Sequence, residues 1–344
     1  MKLSNFNFFQ TNKTFIIAEL SANHGNDIQI AIETIKAAKR TGADAIKLQT
    51  YTPDTLTIDC DNEYFTDILK DTIWEGQKFY DLYKQAYTPW EWHAELFRVA
   101  KEEGLICFSS PFDKTSVDFL EQFNPPAYKI ASFEIQDIPL IEYAASKGRP
   151  MIISTGIAEL NDIKLAVKTC HESGNHNIVL LKCTSSYPAP IEEANLLTIP
   201  DLKEKFQVVV GLSDHTMGIV APLVAVTLGA RVIEKHFILN KSVGGPDASF
   251  SLDETEFTQM VKAIRDTEKA LGEVTYQLTN KVKESRKFGR SLFVVIDIKE
   301  GETFTEENLR AIRPGFGAHP KHLKEILGTK ATRNYQRGEP FLDC

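Results

Sequence analysis

Two lysines stand inside short apolar runs of this chain, where a charged side chain is unusual. Lys47 lies in AIKLQT (45–50), and Lys129 lies in AYKIAS (127–132). A charge taken out of water needs a partner of opposite charge, so we expect an anion beside them. Lysines with neighbouring hydroxyl donors bind phosphate well, which predicts a site for a small dianion such as a phosphate-carboxylate. Alternatively, one desolvated lysine is a Schiff-base nucleophile.

Polar side chains also mark the ends of the other apolar runs. In chain order they are Glu19; Lys47 and Gln49; Ser109 and Ser110; Lys129 and Ser132; Ser154 and Thr155; Lys182 and Thr184; Ser213 and His215; and Glu234, Lys235 and His236. Any one of them could be a satisfied polar group of a core. Their recurrence at all eight runs indicates a single site instead.

Two histidines are candidates for metal ligands. His215 lies just after the seventh run, and His236 lies in the eighth, two residues from Glu234 and on the same face. Two histidines completed by water, a carboxylate or substrate oxygens can hold Mn²⁺ or another divalent ion. Two separate histidines can also be structural. Cys183 lies in an apolar run, where a thiol behaves as a small hydrophobic group, and we do not count it as a ligand.

Strands and helices must alternate to position these residues. Strand patterns cover 15–20, 45–50, 105–110, 127–132, 150–156, 178–183, 208–213 and 231–237, and helical patterns follow them, for example over 28–40, 91–104 and 254–271. Apolar strands separated by amphipathic helices predict a parallel sheet. Eight such units in about 250 residues are the size of a (β/α)8 TIM barrel, with its active site at the C-terminal ends of the strands. The first strand continues as AELSANHG without a GxGxxG loop, which disfavours a doubly wound fold.

The pattern changes after Leu271. Residues 272–288 are polar and carry several lysines, and a short β-rich segment follows. We therefore predict a barrel domain over 1–271, a linker over 272–288 and a small β-rich domain over 289–344. Within the barrel, the connection 51–88 is long and rich in aromatic residues. Loops of this length in a compact domain are usually functional.

Composition excludes several classes of protein. The net charge of -8 argues against general nucleic-acid binding. No apolar run approaches the length of about 18 residues that a membrane span needs, and the N-terminus lacks the apolar core of a signal peptide. The five cysteines are odd in number and show no CxxC spacing. This pattern suits a reducing compartment, so we expect a cytoplasmic protein.

Nine sequence blocks resemble, in order, the signature blocks of the sialic acid synthases: AELSANHGND, IKLQT, FSSPFD, YKIAS, ISTG, KCTSSYPAP, GLSDHT, IEKHF and GGPD. The tail RSLFVVIDIKEGETFTEENLRAIRPG resembles their C-terminal antifreeze-like (SAF) domain. The resemblance implies a TIM barrel followed by that domain. It also implies an enzyme that condenses phosphoenolpyruvate with an open-chain amino sugar, using a divalent metal ion (Mn²⁺, Co²⁺ or Mg²⁺). The tail alone would also suggest a carbohydrate-binding protein, which leaves the polar strand ends unexplained.

The resemblance also implies roles for individual residues. Glu19 matches the acidic residue that manages protons, and with Lys47 and Lys129 it forms the expected catalytic set. The phosphoenolpyruvate-binding positions are Lys47, Ser110, Lys129, Ser132, Ser154, Ser185 and Ser213. The metal ligands are His215 and His236, and the sugar-side positions are Tyr187, Glu234 and Asp247. Arg313, in RPG, matches an arginine that the small domain extends into the barrel of the other subunit, which implies a domain-swapped homodimer.

Three features indicate the branch of the family. The block WEGQKFYDLYKQAYTPWEWH (74–93), KCTSSYPAP and the GFGAHP after Arg313 most resemble the branch that uses a diacetamido-trideoxy hexose. Ser185 replaces the asparagine usual in N-acetylneuraminate synthases, which also indicates a different sugar. The branches that make legionaminic and N-acetylneuraminic acids are the near alternatives. The resemblance further implies a product destined for flagellar or capsular glycans.

Overall fold

A closed barrel of eight parallel strands occupies the N-terminal part of the chain, preceded by a hairpin of β1 (Lys2–Leu3) and β2 (Phe6–Asn7). The computed structural model describes residues 2–8, 10–66, 69 and 72–343. The barrel strands are β3 (Phe15–Glu19), β4 (Ala45–Thr50), β5 (Ile106–Pro111), β6 (Tyr128–Ile130), β7 (Met151–Ser154), β8 (Ile178–Cys183), β9 (Val209–Asp214) and β10 (Val232–His236). Each strand pairs with the next, and β10 closes on β3. The predicted TIM barrel is confirmed.

Helices follow the strands around the barrel. They are α1 (Ile28–Thr41), α2 (Pro53–Leu56), α3 (Glu63–Thr66), α4 (Phe79–Ala86), α5 (His93–Glu102), α6 (Lys114–Glu121), α7 (Ile138–Ser146), α8 (Leu160–Glu172), α9 (Thr198–Phe206), α10 (Val220–Thr227) and α11 (Glu254–Leu271). Local residues fix their ends: the Asp27 side chain accepts from the backbone of Gln29 at the start of α1, and Gly42 ends it in the left-handed region at φ 87°. The long connection 51–88 contains α2, α3 and α4.

Side-chain alternation along the strands separates the core from the site. On the inner face of the barrel, Phe15 and Ile17 of β3 and Val232 of β10 belong to one buried cluster. The outward-facing alternate residues, such as Ile16 and Ile46, pack in the layer between barrel and helices. The inward-facing residues of each strand become polar towards its C-terminal end. The barrel therefore has an apolar interior at the N-terminal ends of the strands, its base, and a polar opening at their C-terminal ends, its mouth.

The N-terminal hairpin, which the sequence patterns do not predict, packs against the apolar base. The Phe6 ring lies 4.8 Å from the Phe15 ring, and Phe8 lies 6.1 Å from it. Leu3 and Phe8 are buried in the same cluster as the inner barrel residues. The hairpin therefore extends the core at the N-terminal ends of the strands.

The chain divides into two compact units, Met1–Gly272 and Glu273–Cys344. The second unit contains α12 (Asn280–Ser285), the antiparallel strands β11 (Ser291–Val294) and β12 (Leu309–Ile312), and α13 (Leu323–Ile326). Its own core includes Leu292, Phe304, Leu309, Tyr335 and Phe341. Across the described ranges, no helix is both long and apolar enough to span a membrane.

Candidate active site

Buried acidic and basic side chains form a network at the mouth of the barrel. Strand register sets Glu19 beside His236 on one side and beside Lys47 on the other. The Lys47 Nζ lies 2.9 Å from Glu19 Oε2 and 3.0 Å from Glu234 Oε1. Lys129 Nζ lies 3.1 Å from the same Glu234 oxygen. Two lysines and two glutamates therefore neutralise one another inside the barrel.

Glu19 and Glu234 are the anionic partners that the two buried lysines need. Lys129 and Lys47 hold the pKa of the Glu234 carboxyl far below its usual range, although burial alone would raise it. Burial lowers the pKa of Lys47 to about 7 against the pull of Glu234, with Lys129 adding to the fall. We take Glu234 as ionised, because two ammonium groups lie within 3.1 Å of one of its oxygens.

Serine hydroxyls cluster near this network. The Ser132 hydroxyl accepts a hydrogen bond of 3.0 Å from the backbone N–H of Gly156. A Cβ atom at Gly156 would lie 2.0 Å from the Ser185 hydroxyl and 2.7 Å from that of Ser132, so only glycine fits between them. The buried hydroxyls of Ser110 and Ser154 have no hydrogen-bond partner within the described part of the chain. These groups can donate to the oxygens of a bound anion.

The two predicted metal-binding histidines lie together. Their ring centroids are 5.3 Å apart. The Nδ1 atom of His215 lies 3.0 Å from the Thr184 carbonyl oxygen, a contact that favours the tautomer with its lone pair on Nε2. The His236 Nδ1 lies 3.6 Å from Asp247 Oδ2. Burial, His215 and Lys47 hold the pKa of His236 far below its usual value, which keeps the ring in the neutral form that metals bind.

Cys183, which we did not count as a ligand, lies beside His215 with its sulfur 3.7 Å from Nδ1. Burial opposes ionisation of the thiol, but His215 lowers the pKa of Cys183 to about 6. In turn, burial would lower the pKa of His215, and the Cys183 thiolate raises it. Within the described residues, no three His, Cys, Asp or Glu side chains form a ready metal cluster. Two imidazoles, with Asp247 nearby, still fit a divalent ion whose other ligands are water or substrate oxygens.

Lys182 and Lys235 lie on the opposite face of their strands from the inward-facing residues Cys183 and Glu234. Lys182 donates to the Cys183 carbonyl, and Lys235 is fully buried and donates to Asp214 and to the Thr216 carbonyl. Lys235 thus ties together the residues on both sides of His215.

Three further polar residues belong to the site without a role expected from the sequence, although Gln49 is among the strand-end residues named above. The Gln49 side chain donates to Glu19 at 3.1 Å and to the Ser21 hydroxyl at 2.9 Å, and Ser21 donates to Asp247. Glu134 is half-buried, with a buried Oε2 atom that is unbonded among the described residues, and burial raises its pKa to about 7. Gln49 belongs to the IKLQT block, and Ser21 and Glu134 closely follow strands, so strand-end position was the available signal.

A cavity of about 670 Å³ is lined by two of the sugar-side candidates, Tyr187 and Asp247. His236 and Ser185 also line it. The Tyr187 ring lies 4.4 Å from the His215 ring. Arg313 belongs to the second unit, where it is exposed and follows β12 directly. All other predicted site residues lie at the mouth of the barrel.

The protein is an α/β-barrel enzyme. Its active site is the polar barrel mouth, which carries paired lysines, serine hydroxyls and two histidines. The model of the NeuB family matches residues 34–276, and that of the SAF domain matches 289–343. The chain belongs to the NeuB family, which confirms the resemblance to sialic acid synthases.

Relatives of known name share nearly the full length of the chain. The pseudaminic acid synthase of Campylobacter jejuni subsp. jejuni serotype O:2 is 51% identical over 98% of each chain. That of Helicobacter pylori is 49% identical over 95% of this chain and 96% of its own. The crystal structure of the spore coat polysaccharide biosynthesis protein SpsE of Bacillus subtilis is 34% identical, with a TM-score of 0.69 over 99% of this chain and 97% of that one.

Proposed function

We propose that this chain acts as a pseudaminic acid synthase. It would condense phosphoenolpyruvate with 2,4-diacetamido-2,4,6-trideoxy-L-altrose and water, and release pseudaminic acid and phosphate by C–O cleavage. The observation that carries the reaction type is the convergence of paired lysines, serine hydroxyls and two histidines at the C-terminal ends of the barrel strands. The identity of about 50% to two pseudaminic acid synthases supports the choice of sugar.

The basic and hydroxyl groups would hold phosphoenolpyruvate. Lys47 and Lys129 meet its charges, and the serines at 110, 132, 154, 185 and 213 donate to its phosphate and carboxylate. Because Glu19 and Glu234 already engage both lysines, binding of the anion requires the lysines to share or exchange their partners. Holding the enol in this way directs its C3 carbon at the sugar aldehyde.

His215 and His236 would hold a divalent ion, Mn²⁺, Co²⁺ or Mg²⁺. Such an ion polarises a carbonyl oxygen as a Lewis acid. The low pKa of His236 keeps its ring neutral. The Thr184 contact holds Nδ1 of His215, so its Nε2 would bind the ion, which would displace the proton that Cys183 favours on this ring. His236→Ala should weaken Mn²⁺ binding in calorimetry while the circular dichroism spectrum stays that of wild type. Equal Mn²⁺ affinity in the variant would contradict this assignment.

Glu19 would manage the proton of the attacking water. After the C–C bond forms, C2 of the former enol becomes electron-poor and takes up water, and a carboxylate within reach accepts the proton. Gln49 and Lys47 fix the two oxygens of Glu19. Tyr187, Glu234 and Asp247 would face the sugar. The resulting hemiketal phosphate then loses phosphate through its C–O bond.

We further propose the domain organisation predicted above, with a barrel (1–271), a linker (272–288) and an SAF domain (289–344), in a domain-swapped homodimer of the cytoplasm. Arg313 would then complete the sugar pocket of the partner subunit. Mixing Arg313→Ala chains with Glu19→Gln chains tests this. Random exchange makes half of the dimers mixed, each with one intact site, so about a quarter of wild-type activity should return. A mixture with confirmed exchange that stays inactive would contradict the swap.

The direct test of function is phosphate release from phosphoenolpyruvate with a panel of amino sugars, with and without EDTA. The diacetamido-trideoxy altrose should be the preferred substrate over N-acetylmannosamine and the legionaminic acid precursor, and EDTA should stop turnover until Mn²⁺ is added. A different preferred sugar would reassign the branch.

A second candidate function, a Schiff-base pyruvate aldolase, is favoured by one observation, the lowered pKa of Lys47, about 7. A neutral amine is the form that attacks a carbonyl. Borohydride trapping of a pyruvate adduct on Lys47 would support that function, and its absence would support the synthase.

A further inference from the structure

The active-site cavity has lining residues of two chemical kinds. One set is polar and includes Ser21, Gln49, Glu134 and Asp247. The other set, which we call the apolar wall, comprises Ile73, Trp74, Phe79, Phe112 and Phe133. Ile73, Trp74 and Phe79 belong to the long connection 51–88. The other two, Phe112 and Phe133, follow β5 and β6 of the barrel. The cavity therefore offers part of its surface to groups that do not form hydrogen bonds.

Aromatic contacts join Phe79 and Phe112 of the wall through Tyr83 and Tyr51, two further residues that line the cavity. The Phe79 ring stacks 5.5 Å from Tyr83, which lies 5.8 Å from Tyr51. The Tyr51 ring in turn lies 5.1 Å from Phe112. These rings connect the long segment to the loop after β5 and form a continuous aromatic surface. Such a surface is held by packing rather than by any single contact.

Trp74 is held in place by two contacts. Its indole N–H donates a hydrogen bond of 3.1 Å to the Pro246 carbonyl, directly before Asp247. Its ring lies 5.7 Å from that of Tyr187. The indole N–H is the only polar hydrogen among the five side chains of the wall and is already engaged, so a group that faces these five residues meets no free donor. The hydroxyls of Thr72, Tyr51 and Tyr83 also line the cavity, outside the wall.

The position of Trp74 relates it to the far end of a sugar chain. In the proposed reaction the aldehyde lies at the histidine pair, and the Tyr187 ring packs 4.4 Å from His215. Trp74 packs on Tyr187, so an open-chain sugar that extends into the cavity from the histidines turns its last carbons towards the wall.

We propose that the apolar wall, with Trp74 as its specificity-determining residue, selects a sugar that ends in a methyl group instead of a hydroxymethyl group. This inference rests on the proposed function. A C6 hydroxyl facing the wall would lose its water without gaining a partner. An apolar pocket rejects an added hydroxyl by about 10²-fold, so we expect a preference of that order for the 6-deoxy sugar.

Two substrates that differ only at C6 test this inference. The kcat/KM of wild type is measured by phosphate release with 2,4-diacetamido-2,4,6-trideoxy-L-altrose and with its 6-hydroxy counterpart. We expect Trp74→Ala to reduce a preference of about 10² to less than about tenfold. Ile73→Asn, at a position 49% exposed, should do the same without disturbing the fold, because its amide offers the hydroxyl a partner. Trp92→Phe, on the helix side of the barrel, is the matched control and should keep the wild-type ratio.

The outcomes separate this inference from the proposed function. An unchanged ratio in both Trp74→Ala and Ile73→Asn, in proteins that still turn over the 6-deoxy sugar, would overturn the role of the wall and leave the synthase intact. A wild-type enzyme with no preference would do the same. If neither sugar releases phosphate with wild type, the proposed function fails, and the inference falls with it.

Discussion

Replacing Glu234 with glutamine should show how much the buried network of Lys47, Lys129, Glu19 and Glu234 contributes to the free energy of unfolding. Glu234 Oε1 lies 3.0 Å from Lys47, 3.1 Å from Lys129 and 3.1 Å from the Ser213 hydroxyl. Glutamine keeps the volume of the side chain, so no cavity forms and the change is electrostatic. Glu19 then remains as the only carboxylate of the network for two buried ammonium groups. Breaking a buried pair by removing one partner costs about 3–5 kcal/mol.

Urea unfolding of the full chain at pH 7 measures this cost. Glu234→Gln should lower the free energy of unfolding of the barrel by about 3–5 kcal/mol. Adding Lys129→Met restores charge balance and should recover a large part of the loss. Asp201→Asn, which breaks the exposed pair with Lys205 on α9, is the control and should cost less than about 1 kcal/mol.

The stability that Glu234 contributes should decrease as the pH falls. The folded-state pKa of Glu234 lies below its unfolded value of 4.5, so its contribution is present above pH 4.5 and is lost as the pH falls. Each unit below 4.5 removes about 1.4 kcal/mol. The difference between wild type and Glu234→Gln should therefore shrink between pH 5 and pH 3.5. A loss no larger than that of the surface control at pH 7, or a pH-independent difference, would refute the network as we describe it.

Three further changes address other parts of the site. Gly156→Ala would push a methyl group against the Ser132 and Ser185 hydroxyls. We expect the KM for phosphoenolpyruvate to rise about tenfold with an unchanged circular dichroism spectrum. An unchanged KM would count against binding of phosphoenolpyruvate by these two serines. Burial raises the pKa of Glu134 from 4.5 to about 7, so wild type should lose up to about 3 kcal/mol of stability as the pH rises from 4.5 through 7. Glu134→Gln should abolish that loss in urea unfolding, and parallel curves for the two proteins would contradict it. Glu19→Gln should reduce kcat by about 10²–10⁴, and a reduction below about tenfold would argue against proton transfer by this residue.

The barrel could be predicted because its signals are local. Each strand is a run of apolar, mostly β-branched residues, and the inner rows change from apolar to polar along each strand, as from Phe15 through Ile17 to Glu19. This alternation brings the ends of eight strands together. It also explains why the polar residues of the inward-facing rows meet at one mouth.

The partners within the site could not be predicted, because they depend on closure of the barrel. Lys47 and Glu234 are 187 residues apart, and neither local sequence indicates that they pair. The Gly156 contact with Ser185 is similar, because only the packed structure shows that no Cβ fits there. Strands of two residues, such as Lys2–Leu3, are too short for a periodicity to identify.

The central claim is that this chain joins phosphoenolpyruvate to a diacetamido-trideoxy hexose with cleavage of the C–O bond. One incubation of both substrates with the full chain and Mn²⁺ in H₂¹⁸O tests it, followed by mass spectrometry of the sugar and of the phosphate. The account predicts a nine-carbon product that carries ¹⁸O at C2, together with unlabelled phosphate. Label in the phosphate, or phosphate release without a nine-carbon product, would contradict it.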